Sequence, residues 1–166
     1  MYEDIRQAAI AVTSRIFETM FFVFLEPIEP SQEDPPQTGS FVEDPPGPLF
    51  SASILRGEIG FTGRHGGTLG VYLPLEMAQS MAKDFLGVDQ GEVLLSQILD
   101  MVGELSNMIC GNLFSTLDSK TIYHLTLPKA SKMSGQEMDR APERTGLVID
   151  FSADDQRLRV VIQLES

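Results

Sequence analysis

The sequence predicts an α+β domain in which two long helices and a short one pack on a mostly antiparallel sheet. Three observations predict it. Apolar residues recur at helical spacing over residues 2–25, 75–86 and 92–117. Short apolar runs bounded by Gly, Asp and Ser lie between and after those segments. The resulting order is helix, strands, helix, helix, strands. A chain of 166 residues with 42% hydrophobic content fits one domain, 1–166, with a real core.

The first helix is predicted over Tyr2 to Leu25, because Ile5, Ala8, Ala9, Val12, Ile16, Met20 and Val23 share one face. Its outward stripe is Ser14, Glu18, Phe21 and Leu25. Glu26 to Pro48 holds seven of the ten prolines and six acidic residues but no basic one. Such a segment cannot build a core and reads as an exposed, acidic, proline-rich loop at 26–48. Phe50 to Phe61 and Thr68 to Leu73 read as a hairpin closed by Gly63-Arg64-His65-Gly66-Gly67. These glycines form no P-loop, since no Gly-Lys-Ser/Thr follows them. Leu75 to Leu86 is a short helix with Met77, Ala78, Met81, Ala82 and Phe85 on its buried side and Gly87 as its C-cap.

The longest helix runs from Glu92 to Leu117. Leu94, Leu95, Ile98, Met101, Val102, Leu105, Met108, Ile109 and Leu113 gather on its inward side. Asp100, Glu104, Asn107 and Gly111 follow the i, i+4, i+7, i+11 series and form a narrow stripe facing solvent. A solvated helix face is the ordinary reading of such a stripe. Two interior glycines argue for more: Gly103 and Gly111 each cost about 1 kcal/mol relative to Ala. A helix that tolerates both is expected to have something close to its surface, and the stripe then reads as a docking face with Asp100, Gly103 and Gly111 beside Glu104 and Asn107.

Beyond this helix come three apolar runs, Ile122 to Leu127, Gly146 to Phe151 and Arg159 to Leu164, the last two flanking a turn at Ser152–Gln156. Lys129 to Arg144 is polar and is expected to be mobile. The stripes of the two long helices match position by position, with Phe21 standing where Asn107 would be, which suggests an internal duplication with one copy degenerate.

Composition narrows the function. A net charge of −12 leaves no broad footprint for a phosphate backbone, so nucleic acid is excluded as a partner class. One cysteine and two histidines cannot form a disulfide or a structural zinc site, and Cys110 reads as helix packing. The start carries Glu3 and Asp4 and lacks a basic signal region, while the longest apolar run, Met20 to Leu25, is too short to span a bilayer. A cytoplasmic protein without membrane association is expected.

Asp100-x-x-x-Glu104-x-x-Asn107, continued as Met-Ile-Cys-Gly-Asn and followed some twenty residues later by Pro128, resembles the signature of the CheC/CheX phosphatases of bacterial chemotaxis. The likeness is closest to the CheX type, which keeps one copy of the motif where CheC-type relatives keep two. It departs from the family pattern in the earlier position of Pro128 and in the proline-rich insert. The resemblance implies a CheC/CheX-like fold and hydrolysis of the aspartyl phosphate of a CheY-like response regulator. Asn107 would orient the attacking water, and Glu104 would pair with the receiver's lysine. It implies no cofactor or metal of the chain's own, Mg²⁺ being held by the partner, and a homodimer joined through sheet edges. The competing class is a non-catalytic interaction module that binds a receiver or another signalling partner, since the same fold is similar to that of flagellar switch components. A stand-alone hydrolase lacks the nucleophile and ligand clusters it would need.

Overall fold

The computed structural model describes residues 2–29, 53–88, 91–134 and 146–165. Its elements are α1 (Tyr2–Phe21), β1 (Glu26–Ile28), β2 (Ser53–Thr62), β3 (Gly67–Pro74), α2 (Leu75–Leu86), α3 (Leu95–Leu117), β4 (His124–Leu125), β5 (Lys129–Ser134), β6 (Leu147–Ala153) and β7 (Gln156–Leu164). The strands form one seven-stranded sheet in the order β1-β6-β7-β3-β2-β4, with β5 also paired to β2. Every pairing among the described residues is antiparallel. The α+β class expected from the sequence is the one observed.

Strand alternation sorts the core. On β2, Leu55, Gly57, Ile59 and Phe61 are buried, whereas Arg56, Glu58 and Gly60 between them are only half-buried. The first set joins Leu69, Val71 and Leu73 of β3, Ile149 and Phe151 of β6 and Leu158 and Val160 of β7 in a single cluster with all three helices. A smaller cluster of Ile54, Tyr72 and Val161, with Met133 and Val148 against it, is separate from that core. Here the Arg56 guanidinium lies over the Tyr72 ring at 5.8 Å, and Arg159 grips Asp150 of the neighbouring strand through Nε at 2.6 Å and a second nitrogen at 3.0 Å.

Several boundaries differ from the sequence reading. Glu26–Ile28 is the edge strand β1, paired to Ser152–Asp150, rather than the start of a loop; the rest of that predicted loop, from residue 30, lies outside the described residues, as does Phe50. A three-residue strand is too short to show periodicity, and Pro27 is tolerated there because an edge strand has one unpaired side. Lys129–Ser134, expected to be mobile, is the edge strand β5; its lysines belong on an exposed edge, where they oppose pairing with other chains.

Helix α1 stops at Phe21, not Leu25. Phe22 adopts a left-handed φ of 55° and the Val23 N–H turns back to the Phe17 carbonyl at 3.0 Å. The same turn draws Phe21 inward between Phe17 and Phe85, with ring centroids 5.8 and 6.3 Å away. Phe21 is therefore buried and Met20 exposed, the reverse of the expectation. The supposed outward stripe of α1 ends at Glu18, so its likeness to the α3 stripe stops before the position matching Asn107. Phe85, Leu94 and Leu95, expected inside, are exposed at helix ends. Helix α2 keeps its predicted limits, and Gly87 at φ 68° closes it in a Schellman motif, with Val88 N–H on the Lys83 carbonyl at 2.9 Å and Gly87 N–H on Asp84 at 3.3 Å.

Candidate functional site

Helix α3 is the central element, touching α1, α2, β2, β3 and β5. Its predicted inward residues Ile98, Met101, Val102, Leu105, Ile109 and Leu113 are buried, and so are Ser106, Cys110 and Phe114 beside them and Gly103, which the sequence reading places on the docking face. Ser106 meets its hydrogen-bonding need within the helix by donating to the Gly103 carbonyl at 2.7 Å. Burial pushes the Cys110 thiol up to about 12, so it stays protonated and packs as a small apolar group. Burial over so wide an arc leaves a narrow strip of α3 for solvent.

Asp100 and Glu104 are exposed on that strip, and Asn107 and Gly111 are half-buried. Among the described residues no hydrogen bond or ion pair engages the Glu104 carboxylate or the Asn107 amide. Residues three apart on a helix stand about 5–6 Å apart at Cβ, so the carboxylate and the amide can reach the same small target. The helix carries no Lys, Arg or His between Leu95 and Leu117, which leaves its outward strip negative.

The chain returns along α3 in an unusual way. Asp118 receives the Thr121 hydroxyl and the Lys120 N–H at 3.1 Å and lies 3.6 Å from Arg64 in the β2–β3 turn. Those hydrogen bonds, the Thr121 hydroxyl foremost, hold its carboxyl below the usual range. Pairing with β2 then begins at Thr62↔His124 and Phe61↔Leu125 and resumes at Glu58↔Lys129. Three steps along β2 are thus spanned by four on the returning strand, which defines a bulge at Thr126–Pro128. Thr126 pins it by exchanging hydrogen bonds with Gly60, N–H to carbonyl and amide to hydroxyl, both at 2.9 Å. A bulge accommodates Pro128, which has no N–H for the ladder.

The bulge sets Pro128 against α3. A Cβ added at Gly103 would lie 3.6 Å from Pro128 Cβ, and one at Gly111 3.8 Å from Leu125 Cδ1. The group close to each helix glycine is therefore the chain's own returning strand, where the sequence suggested a partner's backbone. Both distances are ordinary contacts, so neither glycine is demanded by internal packing. Gly103 instead lines a cleft of about 320 Å³ together with Ser96, Leu99, Asp100, Pro128 and Ala130. Of these, sequence reasoning missed Ser96, Leu99 and Ala130; a proline inside an otherwise strand-like run was the one available sign of the bulge that brings them together.

A profile of the family described as chemotaxis phosphatase CheX matches residues 56–152, more than half of the chain and all of α3. No curated protein sequence matches. Among solved structures, the chain is similar to chemotaxis protein CheX from Vibrio vulnificus, at 19% identity, a TM-score of 0.72 and 99% coverage of both chains. It is also similar to CheC-like superfamily protein from Shewanella sp. PV-4, at 18% identity, a TM-score of 0.69 and 98% coverage of both. A third likeness is to a CheX–CheY–BeF₃–Mg²⁺ complex from Borrelia burgdorferi, at 16% identity, a TM-score of 0.66 and 97% coverage of both. At these identities the structural matches speak for the fold.

Proposed function

The chain belongs to the chemotaxis phosphatase CheX family, and from that premise we propose that it dephosphorylates the phosphoaspartate of a CheY-like response regulator, with Glu104 and Asn107 as its working groups. The observation that carries this reading is the unpartnered pair itself: a carboxylate and an amide projecting from the outward strip of a helix whose other sides are buried. The Borrelia complex, in which a CheX is found with a CheY, supports the partner class.

The chemistry asks little of this chain. An acyl phosphate on a receiver aspartate is already flanked by the receiver's Mg²⁺ and lysine, which offset charge on the phosphoryl oxygens. What is lacking is a held nucleophile. The Asn107 amide accepts and donates hydrogen bonds, so it can hold a water in line with the bond from phosphorus to the aspartyl oxygen. The water oxygen attacks phosphorus, that bond breaks, the aspartate leaves as carboxylate, and inorganic phosphate carries away the water's oxygen and its two protons. Holding one water is worth a few kcal/mol, part of the ~7–11 available from full orientation. Glu104, one turn earlier, forms a charge-assisted pair with the receiver's lysine and so fixes the angle at which Asn107 enters. Asp100, Gly103 and Gly111 form the surrounding contact surface.

No helix among the described residues is long and apolar enough to cross a membrane. The same reading has the protein working in the cytoplasm as a homodimer; β1 borders the sheet and carries unpaired backbone groups for edge-to-edge pairing. The phosphatase reading is tested by phosphate release from an acetyl-phosphate-charged CheY-type receiver, with and without the protein. Wild type should accelerate release, and Asn107→Ala should return it to the receiver's own rate while circular dichroism stays native. Decay in the mutant at the wild-type stimulated rate would refute the role of Asn107. Binding without any acceleration by wild type would instead favour the interaction-module reading.

A further inference from the structure

We infer that the cleft beside Gly103 receives a second basic side chain of the receiver, a lysine or arginine near its phosphorylation pocket and distinct from the lysine that meets Glu104. The inference rests on the proposed receiver docking and specifies what sets its affinity.

The cleft adjoins the candidate site, since Asp100 lines it and Glu104 stands one turn beyond Asp100 on the same face of the helix. Leu99, Pro128 and Ala130 supply apolar surface, and the Asp100 carboxylate and Ser96 hydroxyl supply a polar margin. A purely apolar occupant would take water from Asp100 and return nothing. A long cationic side chain satisfies both parts, its methylenes lying on Leu99, Pro128 and Ala130 and its charged head reaching Asp100. Charge complementarity favours the same occupant: α3 has no basic residue and the chain carries −12.

Gly103 supplies the independent sign. Glycine destabilises a helix interior, yet an alanine Cβ here would sit at an ordinary 3.6 Å from Pro128. Internal packing thus gives no reason for the missing side chain. Its effect is to keep the floor of the cleft open. Gly103→Ala would fill that floor without disturbing the fold.

The test is the affinity of the full chain for a CheY-type receiver held with Mg²⁺ and beryllofluoride, measured by titration calorimetry. Gly103→Ala should melt at or above the wild-type temperature and bind about tenfold more weakly, the loss expected when one good side-chain contact is excluded. Asp100→Asn, on an exposed residue, should bind several-fold more weakly and show a flatter decline in affinity between about 0.05 and 0.5 M salt. Among receiver variants with single surface Lys or Arg residues changed to Gln, one should show a loss that is not additive with Asp100→Asn. Either cleft variant binding within twofold of wild type, or the absence of any coupled receiver residue, overturns the inference. If those results come with an inactive Asn107→Ala, the phosphatase reading survives and the cleft reading alone fails. Wild-type protein that binds the receiver without accelerating phosphate release removes the phosphatase reading instead.

Discussion

Gly57→Ala probes how firmly the site-bearing helix is seated. Gly57 lies on β2 between Val71 of β3 and Ala130 of β5, on the face of the strand that meets α3. A Cβ there would come 2.7 Å from the Val102 carbonyl oxygen and 3.0 Å from Val102 Cγ1. Ordinary contact begins near 3.4 Å, so α3 must retreat by roughly 0.7 Å. The nearest atom is backbone, and Val102 is fully buried, so no rotamer change can absorb the added methyl. Overpacking of this kind costs about 2 kcal/mol, or some 4–8 °C in Tm for a chain of this size. Thermal melts should be compared at two protein concentrations, because any self-association would otherwise enter the Tm. Glu104 and Asn107 ride on the displaced helix together, so their mutual spacing survives. Stimulated phosphate release per folded molecule should therefore fall by no more than about threefold, even though a 1 Å misplacement of one reacting group against another can cost about a hundredfold. A melt within 1 °C of wild type would refute the seating of α3 on Gly57. Loss of activity in a fully folded variant would refute the idea that the pair moves as a unit.

Two further outcomes follow from local geometry. Cys110 should resist a thiol reagent at pH 8 in the native protein and react after unfolding in urea; because its pKa rises from 9.0 to about 12 on folding, the stability it contributes is complete below pH 9 and is lost as pH climbs toward 12, which base titration of the folded protein followed by circular dichroism would detect. Gly87→Ala meets no atom of the described residues within 4 Å, yet it should lower stability by about 1–2 kcal/mol, since φ of 68° is strained for any residue with a Cβ; urea denaturation reads the difference.

The helices were legible where their periodicity was sustained and illegible at their ends. Ile98 through Leu113 declared the inward side of α3 over several turns, and the outward positions of Asp100 and Glu104 followed from the same angle. At the helix ends that logic misleads. Leu94 and Leu95 fit the apolar pattern, yet α3 begins only at Leu95, where Gln97 Oε1 accepts the Leu94 N–H at 3.0 Å, and both leucines are exposed. Phe21 fits the outward stripe of α1 by spacing alone, but the left-handed turn at Phe22 swings it inside. That turn is hidden because nothing in the sequence of Phe22 favours a positive φ. The edge strands are hidden for a different reason: β5 is paired on one side only, so Lys129 and Lys132 carry no alternation that separates them from loop.

Pro128 shows how a residue noticed in the sequence gains its place only in the fold. It stands earlier after Asn107 than the resembled pattern places it, and by pattern the run before it reads as a complete strand and the run after it as mobile. In the structure those two runs are one strand broken by an extra residue, and the break is what carries Pro128 over Gly103. The requirement is geometric. A straight strand would continue along β2 in unbroken register, whereas one inserted residue bends the returning chain toward α3 and raises a wall beside the Glu104 strip. On the proposed function the protein borrows its metal and its lysine from its substrate and has few catalytic groups of its own to align. What it needs is a rigid helix bearing two side chains and a surface that fixes how the other protein sits on them. Burial of α3 on three sides meets the first need, and on the cleft reading the bulge and the glycine it overhangs meet the second.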